Sequence, residues 1–147
     1  MSSEAKLIKD EIDIDEIVKE IAAKNHESNA IVIYVGYVKR KVDGHNVNWL
    51  SCEPHEQYAL KLLNNIIDEE RMDEGISCIR IYHRVGRLKP GEPMSYIFVS
   101  AKNRVKAFEK TRKVLERVKR ESMIFKMESR DDGDFLVLGD GRRLRIK

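Results

Sequence analysis

The sequence predicts an α+β domain in which a mostly antiparallel sheet is combined with three helices. Two observations lead to this prediction. Three segments carry apolar side chains at helical spacing, and the segments between them are short alternating or β-branched runs bounded by turn residues. Such a mixture of short strands and helices is typical of α+β domains. The 147 residues are expected to form one domain, 1–147, which can bury roughly two-thirds of its unfolded surface without a disulfide or a metal.

The chain is expected to begin with a flexible segment and then a helix. Residues 1–11 are charged and read as a frayed lead-in. Asp13 can cap a helix over 14–24, because apolar residues recur there at helical spacing and acidic residues occupy the first turn. Residues 30–38 are nearly all apolar and β-branched, which predicts a strand that is buried on both faces.

A hairpin and the second helix follow. Asp43-Gly44 predicts a tight turn into a return strand over 47–52. Pro54 suits the first turn of a helix that runs to about Met72. The buried face of this helix is expected to consist of Ala59, Leu62, Leu63, Ile66 and Ile67.

The second half of the chain alternates strands with one long helix. Strands are predicted over 76–82 and 94–100, on either side of a turn-rich loop from 83 to 92, and a helix over 103–121. Three short strands end the chain, over 124–128, 135–138 and 144–146, with turns at 131–134 and 139–141.

Charge is concentrated in one stretch of the chain. The net charge of +3 is too small to indicate nucleic-acid binding by itself. Residues 100–130, however, contain eleven basic and four acidic residues. This local excess predicts a surface or pocket that attracts anions.

The cysteines and histidines predict neither a disulfide nor a metal site. Cys52 and Cys78 each lie in a predicted strand, without metal-ligand or redox spacing, and are expected to be buried thiols in a reducing compartment. His26, His45 and His55 are scattered. No apolar run is long enough for a signal peptide or a membrane span, so we expect a cytoplasmic protein without membrane attachment.

The third helix is predicted to carry cations on its buried face. Its apolar stripe is formed by Val105, Phe108 and Leu115, and the cations that share this face are Arg104, Arg112 and Lys119. Burying an unpaired charge costs several kcal/mol, so each cation needs an anion or access to water. Two interpretations remain open. The long side chains reach solvent at the helix ends, or they form a pocket for phosphate or carboxylate, in which a lysine of lowered pKa transfers protons.

The loop from His83 to Glu92 is the most specific motif in the chain. It reads His-Arg-Val-Gly-Arg-Leu-Lys-Pro-Gly-Glu, and its glycines and proline specify a turn. This string resembles the His-Arg-x-Gly-x-Leu-x-x-Gly-Glu segment of the catalytic (large) subunit family of molybdopterin synthase. We expect His83 and Arg84 to fix the loop by hydrogen bonds rather than to act in catalysis.

Two further segments resemble the same family. Residues 34–39 are similar to Phe-Val-Gly-x-Val-Arg, with Lys39 in the place of the arginine. Residues 103–108 are similar to His-Arg-x-x-Ala-Phe, with Asn103 in the place of the histidine. Lysine keeps the charge but lacks the planar fork of arginine, and asparagine keeps hydrogen bonding but cannot exchange a proton near neutral pH.

A fourth segment completes the resemblance. Residues 119–128 are similar to Lys-x-x-x-Pro-x-Trp-Lys-x-Glu, with Met123 and Phe125 in the places of proline and tryptophan. The four segments occur in the order of the family. The resemblance covers about residues 12–129, and the C-terminal strands in 130–147 align only weakly.

The resemblance implies both a fold and an activity. The implied fold is a hammerhead-like α/β arrangement. The implied activity is that of a sulfurtransferase in molybdenum cofactor biosynthesis, which inserts two sulfurs into a cyclic pyranopterin monophosphate to form the dithiolene of molybdopterin. The sulfur arrives as the C-terminal Gly-Gly thiocarboxylate of a small ubiquitin-like partner. The large subunit is implied to be a homodimer with one small subunit at each outer end, a heterotetramer, and no cofactor is implied.

The resemblance also assigns roles to residues. Lys119 and Lys126 are implied as the catalytic pair, which positions the thiocarboxylate and moves protons, and Lys39 and Arg104 are implied to hold the phosphate. The implied substrate-binding residues are Tyr37, Val38, Lys39, Asn103, Arg104, Lys119, Lys126, Met127 and Glu128, with Arg40 and Arg112 as further candidates.

Two other functions are weighed against this one. The departures at Lys39 and Asn103 are compatible with a non-catalytic relative that only binds the ubiquitin-like partner. The basic stretch 100–130 is compatible with a nucleic-acid-binding module, but aromatic residues are not interleaved with its charges. The C-terminal arginines either reach a neighbouring subunit's pocket or form a solvated edge, and we favour the second; they are Arg142, Arg143 and Arg145.

Overall fold

The computed structural model describes residues 2–147 and confirms the α+β architecture. The three helices of this part of the chain are α1 (Ile14–Lys24), α2 (Ala59–Glu70) and α3 (Arg104–Glu121). The strands are β1 (Glu4–Ile8), β2 (Ala30–Tyr37), β3 (Lys41–Val42), β4 (His45–Pro54), β5 (Ile76–Arg84), β6 (Gly86–Leu88), β7 (Pro93–Ala101), β8 (Ile124–Arg130), β9 (Gly133–Val137) and β10 (Arg143–Arg145). No described helix is both long and apolar enough to cross a membrane.

The strands form two sheets. The first has the order β1-β5-β7-β2, in which β1 runs parallel to β5 and the other pairs are antiparallel. The second has the order β10-β9-β8-β4-β3, and β6 also pairs with β4. Alternate residues of β5 and β7 face opposite sides of the first sheet, so α2 and α3 cover one face and α1 the other.

The predicted helix cap at Asp13 and the predicted hairpin turn at Asp43-Gly44 are both confirmed. The Asp13 side chain accepts a hydrogen bond from the Glu16 backbone N–H at 3.2 Å and caps α1. Asp43 and Gly44 have φ angles of 51° and 80°, the conformation of a two-residue turn with both central residues left-handed. This turn joins β3 to β4.

The expected flexible lead-in is wrong, because the N-terminal segment forms β1 along β5. Arg80 is 2% exposed, and a buried guanidinium needs partners. It donates to the Ser2 carbonyl at 2.6 Å and to the Glu20 carboxylate at 2.8 Å. The Tyr82 hydroxyl donates to Glu4 at 2.5 Å. The buried Arg80 and Tyr82 therefore hold the N-terminal segment against the sheet through Ser2 and Glu4.

Two other predictions from the sequence are wrong, one about the burial of a strand and one about the start of a helix. Residues 30–38 do not form a strand buried on both faces. Instead β2 is an edge strand that pairs with β7, and Ile33 remains 36% exposed. Pro54 does not begin α2 but ends β4 opposite Ile124, a strand-terminal position that suits a residue without an N–H.

The buried face of α3 differs from the predicted stripe. Val105 and Phe108 are 58% and 64% exposed, and Arg104, Arg112 and Lys119 also lie on the solvent side. The buried residues are Ala107, Lys110, Thr111, Val114 and Val118. The helix is therefore turned by roughly 100° from the orientation that apolar periodicity predicts. The prediction that Arg104, Arg112 and Lys119 share the buried face of α3 is wrong.

The charge of Lys110 is tolerated in the interior because it forms ion pairs with acids of α2 and of the turn that follows α2. Its Nζ lies 2.8 Å from Glu70 and 3.0 Å from Asp73. Arg117 of α3 binds the second oxygen of Glu70 at 2.9 Å. Burial acts to raise the pKa of Glu70, but hydrogen bonds from Lys110 and Arg117 outweigh it, and the pKa lies below its usual value. This network joins α2 to α3.

We predict that Lys110→Ala lowers the free energy of unfolding by about 3 kcal/mol, because it leaves a buried carboxylate short of a partner. Lys113 lies on the same helix, also contacts Glu70, and is 62% exposed. Lys113→Ala is the matched control and should change stability by less than about 0.5 kcal/mol. Urea unfolding measures both, and equal losses in the two variants would contradict the buried role of Lys110.

Candidate active site

A cavity of ≈530 Å³ lies where the end of β2 meets β8 and the end of α3. The turn between β9 and β10 forms its remaining wall. Four cations and one acid line it, together with the backbone of residues 34–38; the charged residues are Lys39, Lys119, Lys126, Arg143 and Glu128. The basic excess predicted for residues 100–130 therefore contributes to a pocket through Lys119 and Lys126.

The cavity contains six of the residues expected at the site. These are Tyr37, Val38, Lys39, Lys119, Lys126 and Glu128. The other five, which do not line it, are Arg40, Asn103, Arg104, Arg112 and Met127. A second depression of similar size lies near Lys24 and Lys102 and is lined by none of the eleven.

Strand pairing places Lys126 and Glu128 side by side. In the antiparallel pair of β4 and β8, Lys126 lies opposite Cys52 and Glu128 opposite Leu50. Directly opposite residues share a face of a sheet, and alternate residues of one strand do the same. Both charged side chains therefore point towards the cavity, whereas Met127 between them points to the opposite face.

Lys126 lies in an environment that disfavours its positive charge. Burial lowers the pKa of Lys126, and the positive charge of the nearby Lys119 lowers it further. Burial also raises the pKa of the Cys52 thiol to about 11, so this thiol stays protonated near neutral pH. Cys52 therefore offers no thiolate nucleophile near neutral pH.

Gly36 lies in the cavity wall, where neighbouring side chains fill the space that a Cβ would need. A Cβ at this position would lie 2.7 Å from the Tyr34 hydroxyl and 3.1 Å from Ser95 Oγ. A larger residue would push these side chains out of place. The glycine therefore allows the β2 backbone to line the cavity.

The segment from His83 to Glu92 is not wholly a loop, because it contains the end of β5 and strand β6, and hydrogen bonds fix it in place. His83 is 1% exposed, and its Nδ1 lies 2.8 Å from the Arg84 carbonyl, which requires a proton on Nδ1. Arg84 donates to the carbonyls of Lys9 and Pro93 and to Glu92. Burial lowers the pKa of His83 to about 4, with a further contribution from the charge of Lys126. These contacts agree with the expected loop-fixing role.

Asn103 and Arg104 lie at the opposite end of α3 from Lys119. The Asn103 side chain caps the helix by accepting the Lys106 N–H at 2.9 Å. Fifteen residues separate Arg104 from Lys119, which corresponds to about 22 Å along the helix axis. Arg112, 83% exposed, pairs with Glu116 instead. Within one chain, none of these groups meets Lys119.

Arg143 is the cavity residue that sequence reasoning missed. The prediction of a solvated edge is correct for Arg142, which is exposed and pairs with Asp140, but it is wrong for Arg143. Arg143 donates to both oxygens of Glu128, at 2.8 Å and 3.2 Å. No motif indicates this contact, because it depends on the register of β9 with β8 and β10.

The fold brings together one group of metal-ligand types that sequence spacing did not indicate. His45 lies beside Asp131 and Asp132, with ligand atoms within 4.8 Å of one another. These three residues are a candidate cation site. Its groups already satisfy one another, because His45 and the Asn46 N–H bind Asp131, and Arg130 binds Asp132.

Comparison with known proteins identifies the family. A family model described as "MoaE protein" matches residues 7–121. The chain belongs to the MoaE family. The molybdopterin synthase catalytic subunit of Pyrococcus abyssi is 31% identical over 147 residues, covering 99% of this chain and 97% of that protein. The Escherichia coli protein of the same name is 30% identical over 112 residues, covering 76% and 75%. These relatives confirm the family that the four motifs indicated.

Solved structures agree with the MoaE fold. Molybdopterin synthase from Staphylococcus aureus matches with a TM-score of 0.79 and 26% identity, covering 91% of this chain and 95% of that chain. The MoaE protein from Burkholderia ambifaria matches with a TM-score of 0.78 and 27% identity, covering 99% and 92%. The expected fold class is therefore confirmed.

The backbone of this MoaE chain explains why Met123 replaces the proline of the family motif. Met123 stands where the motif carries proline, and its φ angle is 53°. Proline is restricted to φ near −65° and cannot adopt this conformation. The turn from α3 into β8, which leads to Lys126, therefore has a backbone that the family's usual residue excludes.

We predict that His83 makes the MoaE chain less stable as the pH falls. Its folded pKa of about 4 lies below the unfolded value of 6.5, so its contribution is complete above pH 6.5. As the pH falls towards 4, the unfolded state binds the proton first, and about 3 kcal/mol is lost. His83→Gln should make the free energy of unfolding depend less on pH between 6.5 and 5, where carboxylates contribute little to this dependence.

Denaturant unfolding at each pH measures the free energy of unfolding, and the exposed His26→Gln is the control. A pH dependence in His83→Gln equal to that of the wild type would contradict the prediction.

Proposed function

We propose that this chain is the catalytic subunit of a molybdopterin synthase. In this reaction, sulfur moves from the C-terminal thiocarboxylate of a small ubiquitin-like partner to a cyclic pyranopterin monophosphate. The observation that carries the proposal is the cavity of a MoaE-family chain in which Lys39, Lys119 and Lys126 meet. Both reactants are anionic, through a phosphate and a thiocarboxylate, and a cationic cavity suits both.

The three lysines of the cavity have different roles because their environments differ. Lys119 is exposed at the rim, where the partner's tail would enter, and its ammonium orients the thiocarboxylate. Lys126 is deeper and has a lowered pKa, so it accepts and returns protons as sulfur adds to the pterin. Lys39 supplies charge for the phosphate. The sulfur nucleophile arrives with the partner, which agrees with the protonated Cys52 thiol.

We predict that Lys119→Ala and Lys126→Ala each lower product formation by at least about 100-fold, because the first loses the ammonium that orients the thiocarboxylate and the second loses the proton-transfer group. The measurement is an anaerobic single-turnover assay with the thiocarboxylated partner and the cyclic pterin monophosphate, in which dithiolene product is quantified. Binding of the partner should persist in both variants. Lys113→Ala on the exposed side of α3 is the control.

The same assay separates the alternative functions. A wild-type chain that binds the partner but forms no product would be a non-catalytic relative. A chain that binds neither reactant, but binds nucleic acid with an affinity that falls steeply with salt, would overturn the synthase proposal. Product formation by wild type that survives in Lys126→Ala would remove Lys126 from catalysis.

We further propose that the MoaE chain is a homodimer whose cavity is completed by the second copy. Asn103 and Arg104 lie too far from Lys119 to act in the same chain. The edge of β2 is open in the described chain, and α3 packs beside it with Val105 and Phe108 exposed. An open apolar edge strand is a natural surface for pairing with another strand.

The register of β2 explains how such a dimer would complete the site. Ala30 lies opposite Ala101, just before Asn103, and Tyr37 lies at the cavity. Antiparallel pairing of two β2 strands about a two-fold axis brings Ala30 of the second copy beside Tyr37. The Asn103–Arg104 end of the second copy then lies near the Lys119 cavity. Two-fold pairing creates two equivalent sites.

We predict that Lys119→Ala and Arg104→Ala chains complement each other when refolded together. Each mixed dimer then contains one site with both native residues, so activity should exceed the mean of the separate variants. The control is a mixture of Lys119→Ala with Lys126→Ala chains. Both of these residues come from one chain of a site, so no intact site forms. A mixture of the first pair that gains no activity would contradict the shared site.

The proposed location is the cytoplasm. Cys52 and Cys78 are both free and buried, as is usual for proteins of a reducing compartment.

A further inference from the structure

Arg143 is the one guanidinium that lines the cavity within the described chain. The other cations there are lysines, which act as point charges. A guanidinium presents a planar fork that binds two oxygens of a phosphate or carboxylate at once. The C-terminal hairpin therefore supplies a recognition geometry that Lys39, Lys119 and Lys126 lack.

In the structure this fork is occupied by a carboxylate of the protein. Arg143 Nε and Nη2 donate to the two oxygens of Glu128, which is 3% exposed. Glu128 is also the acid that lines the cavity. Its carboxylate stands in the position that an oxyanion of a bound reactant would take on Arg143.

A second guanidinium faces the same carboxylate with an unused donor. Arg130 follows Glu128 by two residues on β8, so it shares that face of the strand. Its Nη1 lies 3.7 Å from Glu128 Oε1, beyond hydrogen-bond distance, and is buried without a hydrogen-bond partner. Two bonds to Asp132 and stacking on the Phe135 ring hold Arg130 in place.

The C-terminal segment is held against the catalytic end of α3. A Cβ at Gly139 would collide with the Lys119 backbone carbonyl, so the turn between β9 and β10 lies directly on that residue. The turn and Arg143 belong to the same cavity wall. Arg143 and Lys119 therefore line one cavity, in which a single ligand can meet both.

We propose that Arg143 binds the oxyanion of a reactant, that Glu128 occupies Arg143 until the reactant arrives, and that Arg130 then receives Glu128. The exchange leaves no buried charge unpaired, because the unused Nη1 of Arg130 gains the carboxylate that Arg143 releases. The ligand is a phosphate or thiocarboxylate oxyanion. This inference rests on the proposed function, since both oxyanions belong to its reactants.

The test is calorimetric titration of the full-length chain in two arms. One arm uses the cyclic pterin monophosphate alone, and the other uses the thiocarboxylated partner alone. We expect Arg143→Ala to weaken binding at least tenfold in one arm, which identifies the oxyanion, and Arg143→Lys to give an intermediate loss because charge remains without the fork. Arg142→Ala, the exposed neighbour, should bind like wild type in both arms.

Glu128→Gln tests the exchange separately from the binding. If Glu128 competes for Arg143, Glu128→Gln should tighten binding several-fold in the arm that Arg143→Ala weakens. Weaker binding in Glu128→Gln would show that Glu128 only supports Arg143, and would overturn the exchange. Circular dichroism and thermal unfolding establish that each variant is folded, and Arg143→Lys keeps the test valid if Arg143→Ala is not.

The remaining outcomes distinguish this inference from the proposed function. Wild-type binding that Arg143→Ala and Arg143→Lys leave unchanged in both arms would overturn the role of Arg143 and leave the synthase proposal standing. A wild-type chain that binds neither reactant would overturn the synthase proposal, and the inference about Arg143 with it.

Discussion

Buried charge is the constraint on which the rest of this structure depends. A charged group leaves water only where a partner or a polar neighbour compensates for it. Arg80 holds the N-terminal segment in this way, and Lys110 joins two helices through Glu70. The cavity uses the same constraint differently. Lys126 is half-buried in the cavity, and this burial, together with the charge of Lys119, lowers its pKa.

The two sheets have different tasks in building the site. The first sheet supplies a rigid base, because α2 and α3 cover one face and α1 the other. Its edge strand β2 contributes residues 34–37 to the cavity wall. The second sheet carries Lys126 and Glu128 on one face of β8, and its last strand returns Arg143 to the same place. The site therefore forms at the junction of the sheets, and α3 ends there with Lys119.

Local sequence signals predicted more of the fold than of the cavity. The α1 cap at Asp13 and the hairpin turn at Asp43 depend on neighbouring residues and were predicted correctly, and the motifs identified the family. The orientation of α3 was wrong, because apolar periodicity gives no indication that Lys110 has buried acids to meet. The position of Arg143 depends on strand register over a long sequence separation, and no local pattern contains that information.

The cavity also has a consequence for how the chain folds. Its charged wall runs from Lys39 to Arg143, more than a hundred residues apart, and loop closure over such separations makes these contacts late and slow to form. A chain in which the last hairpin has not yet folded would lack Arg143 and the β9–β10 turn, and so one wall of the cavity. Ligand binding in the cavity would therefore report that the C-terminal hairpin has joined the rest of the fold.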